Sequence, residues 1–226
     1  MLFRSSGAAP ETLLDSYEPE RRPIAQAVAR SGDDAEARVT QQDPAARQAL
    51  IQFLTTPGGR QAAAVAGAEI AFGYEQSPIV EEIVTAAGAG TTGTQIGFRV
   101  GDAAPLERRN RTCRLHELIG RPTHTLFVML SDADSAAIDE GLALANAAGR
   151  RYRPHLQAYV ASRNAVDRDN VPSELLCDPT GALHERLGAA RPCLCLVRPD
   201  GHLGLRAAPP FLEPLQAHLR RILMSP

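Results

Sequence analysis

The chain has 226 residues, 44% apolar but only 4% aromatic, so it can bury a core built mainly from Leu, Ala, Val and Ile. A formal charge of −2 and a pI near 6.3 exclude the basic footprint of a nucleic-acid or anionic-membrane binder. All 24 Lys-plus-Arg residues are Arg, so there is no Lys for a Schiff base or a Walker-type phosphate contact. Four cysteines, Cys113, Cys177, Cys193 and Cys195, are ordinary usage for a reducing compartment. Arg4 breaks the apolar start too early for a signal-peptide core, and no apolar run reaches membrane-span length. A soluble, cytoplasmic protein is the expectation.

Residues 11–31 predict a helix: Leu13, Leu14, Tyr17, Ile24, Ala25 and Val28 fall near one face, with acidic residues toward its start. Pro19 and Pro23 should kink or restart it, and Gly32-Asp33-Asp34 should end it. A second helix is expected from Asp43-Pro44 to Leu54, with Ala46, Leu50, Ile51 and Leu54 inward, and a third from Arg60 to Phe72. Together they make residues 1–72 a helical annex, too small to stand alone. Residues 73–120 read as an irregular linker segment: turn-rich Gly73 to Pro78, a Gly/Thr/Ala loop over 86–97, a charged run from Glu107 to Arg111, and one helical turn at Leu115 to Gly120. So long an irregular stretch makes sense laid over a body of protein.

From Arg121 strands and helices alternate. His124 to Leu130 is a buried-strand pattern, Ser131-Asp132 can cap a helix over Asp134 to Ala148, and Pro154 to Val160 alternates as a second strand. Leu175 to Cys177 is a short apolar run, followed by an Asp178-Pro179 cap and a short helix closed by Gly188. Cys193 to Val197, a Pro199-Asp200-Gly201 turn and His202 to Arg206 form a hairpin, and Phe211 to Leu223 a final amphipathic helix. This β-α-β, α, β-β-α order makes 121–226 a thioredoxin-like α/β domain. Pro192 stands where that fold keeps a proline, often cis, before its third strand. The place of the redox nucleophile, Ser131 to Ser135, holds no Cys, so the domain lacks a C-x-x-C.

Five motifs occur in order. Leu13-Leu14-Asp15-Ser16-Tyr17-Glu18-Pro19-Glu20-Arg21-Arg22-Pro23 has the form L-L-x-x-Y-x-x-E-R-x-P; Tyr74 to Val80 reads Y-x-x-S-x-[IL]-V; Val100 to Pro105 approaches P-G-x-R-A-P; then come Leu115 to Gly120 and Val197-Arg198-Pro199-Asp200-Gly201. Together they resemble the C-terminal portion of FAD-dependent aromatic-ring hydroxylases, the single-component flavoprotein monooxygenases related to phenol and para-hydroxybenzoate hydroxylase. Ala103 stands where that family commonly has Arg, after Asp102, and the leading Pro is absent. The resemblance implies a parent enzyme that hydroxylates an aromatic ring with FAD, NAD(P)H and oxygen. The family's flavin site needs an N-terminal G-x-G-x-x-G running from a strand into a helix, and the expectation is that nothing of that form exists in this chain. Gly101-Asp102-Ala103-Ala104 imitates the second flavin motif, but Pro105 replaces its His and it follows the E-R-R-P helix instead of preceding it. The expectation is a fragment that binds no cofactor and has no activity alone, because the flavin domain is absent. The other readings are a non-catalytic association module, pairing with itself or with a flavoprotein partner, and a thiol-disulfide oxidoreductase.

Cys193 and Cys195, one residue apart on a strand, face the same way; they suit a redox pair beside Pro192 or, more ordinarily, two small core residues. The six His show no metal-ligand spacing, and His116-Glu117 reads as a surface pair. Arg21 and Arg22 should pair with Glu18 or Glu20 along the helix. No catalytic, cofactor or metal residue is assigned. Tyr74 and Ser77 are the substrate-side candidates, because the family places this segment near the hydroxylase body; the competing reading packs Tyr74 between annex and linker.

Overall fold

A computed structural model describes residues 2–40, 44–67, 72–83, 93–109, 111–132, 134–164 and 171–224. The chain divides into two compact units, one of residues 17–72 and one of residues 1–16 with 73–226.

The smaller unit is helical: α2 (Tyr17–Thr40), α3 (Pro44–Thr55) and α4 (Pro57–Gly67), numbered after α1 (Leu2–Ser5) of the larger unit. The predicted break at Gly32-Asp33-Asp34 does not occur, and α2 runs on for 24 residues. Pro19 lies in its first turn, where the missing N–H would have had no intrahelical partner, so only Pro23 costs a helix bond. Arg22 pairs with Glu18 at 3.0 Å, as the spacing predicts. α4 starts at Pro57, before the expected Arg60, because the Thr56 hydroxyl caps it by accepting the Gly59 N–H at 2.9 Å. α3 buries none of its residues; Ile51 and Leu54, expected inward, are 49% and 40% exposed.

The larger unit opens with α1 and a 3-10 turn (Glu11–Ser16). It then carries β1 (Glu81–Ile83), β2 (Leu106–Arg108), β3 (Arg111–Cys113), α5 (Leu115–Ile119), β4 (His124–Leu130), α6 (Ser135–Arg151), β5 (Leu156–Ser162), β6 (Leu175–Cys177), α7 (Ala182–Arg186), β7 (Cys193–Val197), β8 (Leu203–Ala207) and α8 (Leu212–Ile222). Its strands form one sheet in the order β1-β8-β7-β4-β5-β6-β2-β3. The middle of that order, β8-β7-β4-β5, has β4 parallel to β5, β7 antiparallel to β4 and β8 antiparallel to β7, the thioredoxin-like topology. The sheet therefore takes in the segment read from sequence as irregular linker: β1 runs parallel beside β8, and β2 pairs with β6 and β3. Three-residue strands hold too little alternation to announce themselves by period. The first 16 residues also belong here, with the Met224 N–H donating to Ala8 O at 2.8 Å and the Phe3 ring between His124 and His155.

All seven residues of β4 are buried, and their alternation sorts the core into two layers. Leu126, Val128 and Leu130 pack with Leu194 and Leu196 of β7 against α6 and α8. Phe127 and Met129 pack with Cys193, Cys195 and Val197 among Leu115, Leu118, Leu183 and Leu187. Asp134, not the expected Ser131-Asp132, caps α6 by accepting the Ala137 N–H at 2.9 Å.

Candidate functional site

Three places can be weighed as sites, beginning with the corner where a thioredoxin keeps its dithiol. Pro192 does precede β7, whose Cys193 pairs with Met129 near the end of β4. Its peptide is not among the cis bonds, which precede Pro105, Pro154 and Pro210. The end of β4 is held by a buried pair that the sequence did not announce. His184 Nε2 lies 2.9 Å from Leu130 O, and its Nδ1 lies 2.7 Å from Asp178 Oδ2. Both ring nitrogens thus face acceptors. Asp178 Oδ2 also accepts the His184 backbone N–H at 2.9 Å. Burial pushes the Asp178 carboxyl up, but hydrogen bonds from the His184 ring and from the His184 and Leu183 backbone outweigh it, leaving it below its ordinary value. Both side chains are 0% exposed, so the pair clamps β4 to the β6–α7 turn and has no access to a substrate. Asp178 reads in the sequence as a helix cap; its six-residue spacing to His184 is the only hint of the clamp.

Cys193 and Cys195 face the same side, as predicted, with their sulfurs 3.9 Å apart and both side chains buried. The Cys195 thiol is pushed well above its ordinary value, first by its hydrogen bond with Cys193 and then by burial, so it stays protonated at neutral pH. Arg206, opposite Cys195 on β8, spends its guanidinium on Leu187 O (3.1 Å), Glu82 (2.5 Å) and Thr94 O (2.5 Å).

Tyr74 and Ser77 are both buried. The Tyr74 ring sits 4.5 Å from the His202 ring and 5.2 Å beneath the Arg198 guanidinium, and Arg198 in turn binds Asp200 at 2.7 Å. The Ser77 N–H donates to Tyr74 O at 2.9 Å, closing a turn. The Y-x-x-S and V-R-P-D-G motifs, far apart in sequence, therefore make one cluster at the β7–β8 hairpin. Within the larger unit, Tyr74 packs against that hairpin.

Gly101 to Ala104 line one side of an open cavity of about 830 Å³, shared with Thr94, Arg99 and Arg186. Asp102 accepts from Arg114 Nε (2.6 Å) and from the Ala103 and His116 N–H groups (3.0 and 3.2 Å), which makes this segment a joint for α5. His116 and Glu117 are exposed, as read. Against the expectation that the chain has no such spacing, a literal G-x-G-x-x-G occurs at Gly88-Ala89-Gly90-Thr91-Thr92-Gly93, away from the N-terminal place of the family's fingerprint. Residues 84–92 lie outside those described, and residues 93–98 bend and turn instead of opening a helix. A Cβ on Gly93 (φ +95°) would come within 2.4 Å of Glu185 O, so the close approach of α7 accounts for this glycine. Among the described residues that follow the motif, none opens a helix whose N-terminus could receive a flavin pyrophosphate. Among the described residues no three His, Cys, Asp or Glu converge as metal ligands, and no helix is long and apolar enough to cross a membrane.

No family model and no curated protein matches the chain. Solved structures do. OxyS anhydrotetracycline hydroxylase from Streptomyces rimosus is 26% identical with a TM-score of 0.56, covering 99% of this chain and 38% of that one. The flavin-dependent monooxygenase PieE, solved with FAD and substrate, is 22% identical over 97% of this chain and 42% of its own, with a TM-score of 0.56. CabE, an aromatic hydroxylase from angucycline biosynthesis, gives 20% identity and a TM-score of 0.55 over 97% of this chain and 37% of its own. The chain thus spans about two fifths of the length of these proteins. Along nearly its whole length it is similar to a C-terminal portion of FAD-dependent aromatic hydroxylases, the family that its motifs resemble.

Proposed function

We propose that this chain works as the C-terminal portion of an FAD-dependent, NAD(P)H-using aromatic hydroxylase, its thioredoxin-like domain serving packing and not thiol chemistry. The observation that carries this reading is the likeness to OxyS over 99% of the chain. The thioredoxin corner supports it: no cysteine stands at the nucleophile's place, the Cys195 thiol is held protonated, and the Asp178–His184 pair is sealed from solvent. Flavin supplies the oxygen chemistry in such enzymes, and the described residues offer it no cradle, so these 226 residues depend on a flavin-binding portion, in the same polypeptide or in a partner. Purified alone, the chain should neither retain FAD nor oxidise NADPH; stoichiometric FAD with NADPH turnover would overturn that dependence.

A second reading, association through the helical unit, is favoured by α3, which buries no residue and leaves Ile51 and Phe53 about half exposed. It predicts self-association or capture of a flavoprotein partner in light-scattering measurements. A monodisperse monomer at every concentration, with no partner taken up, would count against it.

A further inference from the structure

The β2–β3 hairpin gathers positive charge against its own stability. Arg108 and Arg111 stand directly opposite each other in the register, and like charges so placed repel. Between them Arg109 adopts φ +49°, the only non-glycine residue with positive φ among those described. Gly or Asn would hold that conformation at lower cost. The three guanidiniums, with Thr112, Cys113 and Glu117, line a cavity of about 610 Å³ in which Glu117 is the only carboxylate among the described residues. Arg108 is fixed there, its Nε donating to Ser173 O at 2.7 Å and its guanidinium 5.1 Å from the Tyr159 ring centroid. Arg109 and Arg111 are exposed. β3 is the last strand of the sheet, and charge on an edge discourages unwanted pairing, which accounts for Arg111. It does not account for an arginine in a left-handed turn or for a third guanidinium in the same cavity. The chain as a whole is acidic, with a formal charge of −2, so this concentration is local.

We propose that the β2–β3 hairpin is a binding site for a phosphate-bearing small molecule, clasped between Arg108, Arg109 and Arg111. Guanidinium forks match pairs of phosphate oxygens, and three of them around one cavity suit a di- or polyphosphate group. This inference does not depend on the hydroxylase reading.

Isothermal titration of the full chain with inorganic pyrophosphate at low ionic strength tests it. Saturable binding is expected, weakening as salt is added. An ADP arm separates the sources: tighter binding of ADP marks a nucleotide, weaker binding a free phosphate compound. Arg109→Gly relieves the backbone and keeps the fold, yet it should weaken pyrophosphate binding by at least about tenfold, as should Arg111→Gln. Arg220→Gln on α8 should leave it unchanged. Absence of saturable binding, equal binding of citrate, or wild-type affinity in the Arg109→Gly/Arg111→Gln double variant would overturn the proposal.

Discussion

Replacing Asp178 by Ala tests whether the buried Asp178–His184 pair holds the end of β4. The carboxylate accepts the His184 ring at 2.7 Å and the His184 backbone N–H at 2.9 Å, and neither side chain is exposed to water. Its removal leaves a buried ring donor and a backbone N–H without an acceptor. Breaking one side of such a pair costs about 3–5 kcal/mol. His184→Leu should cost a similar amount, because it strands the carboxylate and the Leu130 carbonyl. The double variant should cost clearly less than the two single costs added, since each single leaves an uncompensated group that the double removes. Urea unfolding followed by circular dichroism reads all three, and the chain has no Trp to report instead. The Asp178 carboxyl lies below its ordinary 3.8, so its contribution is present above that pH and is lost as pH falls through the lower folded value. Asp178→Ala should remove that acid-limb loss. A cost below about 1 kcal/mol, or strictly additive single costs, would refute the clamp.

His218 is buried, its Nδ1 lies 3.2 Å from the Arg221 guanidinium and 3.4 Å from Glu81 Oε2, and burial lowers its pKa from 6.5 to about 4. A histidine kept neutral in this way stabilises fully above pH 6.5 and loses that contribution on acidification, levelling near pH 4. His218→Gln should therefore reduce the stability lost between pH 7 and 4 by about 3 kcal/mol, measured by urea titration at each pH; an unchanged loss would contradict the assignment. Half-buried Cys113 and Cys177 should react with a thiol reagent in the native chain while Cys193 and Cys195 wait for unfolding, and simultaneous reaction of all four would contradict the packing. Gly97 (φ +82°) has the Glu75 nitrogen 2.8 Å from where a Cβ would sit, so Gly97→Ala should cost at least about 2 kcal/mol in thermal unfolding.

The alternation from His124 onward made the central strands and the hairpin legible, because four- to seven-residue strands carry a period and Pro199-Asp200-Gly201 marks the turn. The sheet's flanks were not legible. β1, β2 and β3 are each three residues long and owe their existence to partners distant in sequence, such as Glu107 opposite Cys177. α2 crosses Gly32 because one exposed glycine costs only about 1 kcal/mol against a long run of helix formers. Tyr74 and Ser77 were found as motif residues, but their setting against Arg198 and His202 depends on the fold. The same holds for the Asp178–His184 clamp, where a cap residue and an unassigned histidine meet only once β4, β6 and α7 converge.

The most direct test of the central claim is the flavin content of the protein recovered from its native source with an antibody against residues 121–226. If the chain works as part of a flavoprotein hydroxylase, about one FAD per thioredoxin-like domain should be released on heat denaturation, whether the flavin-binding portion is covalently joined or bound as a partner. Recovery of the protein free of flavin would contradict the account.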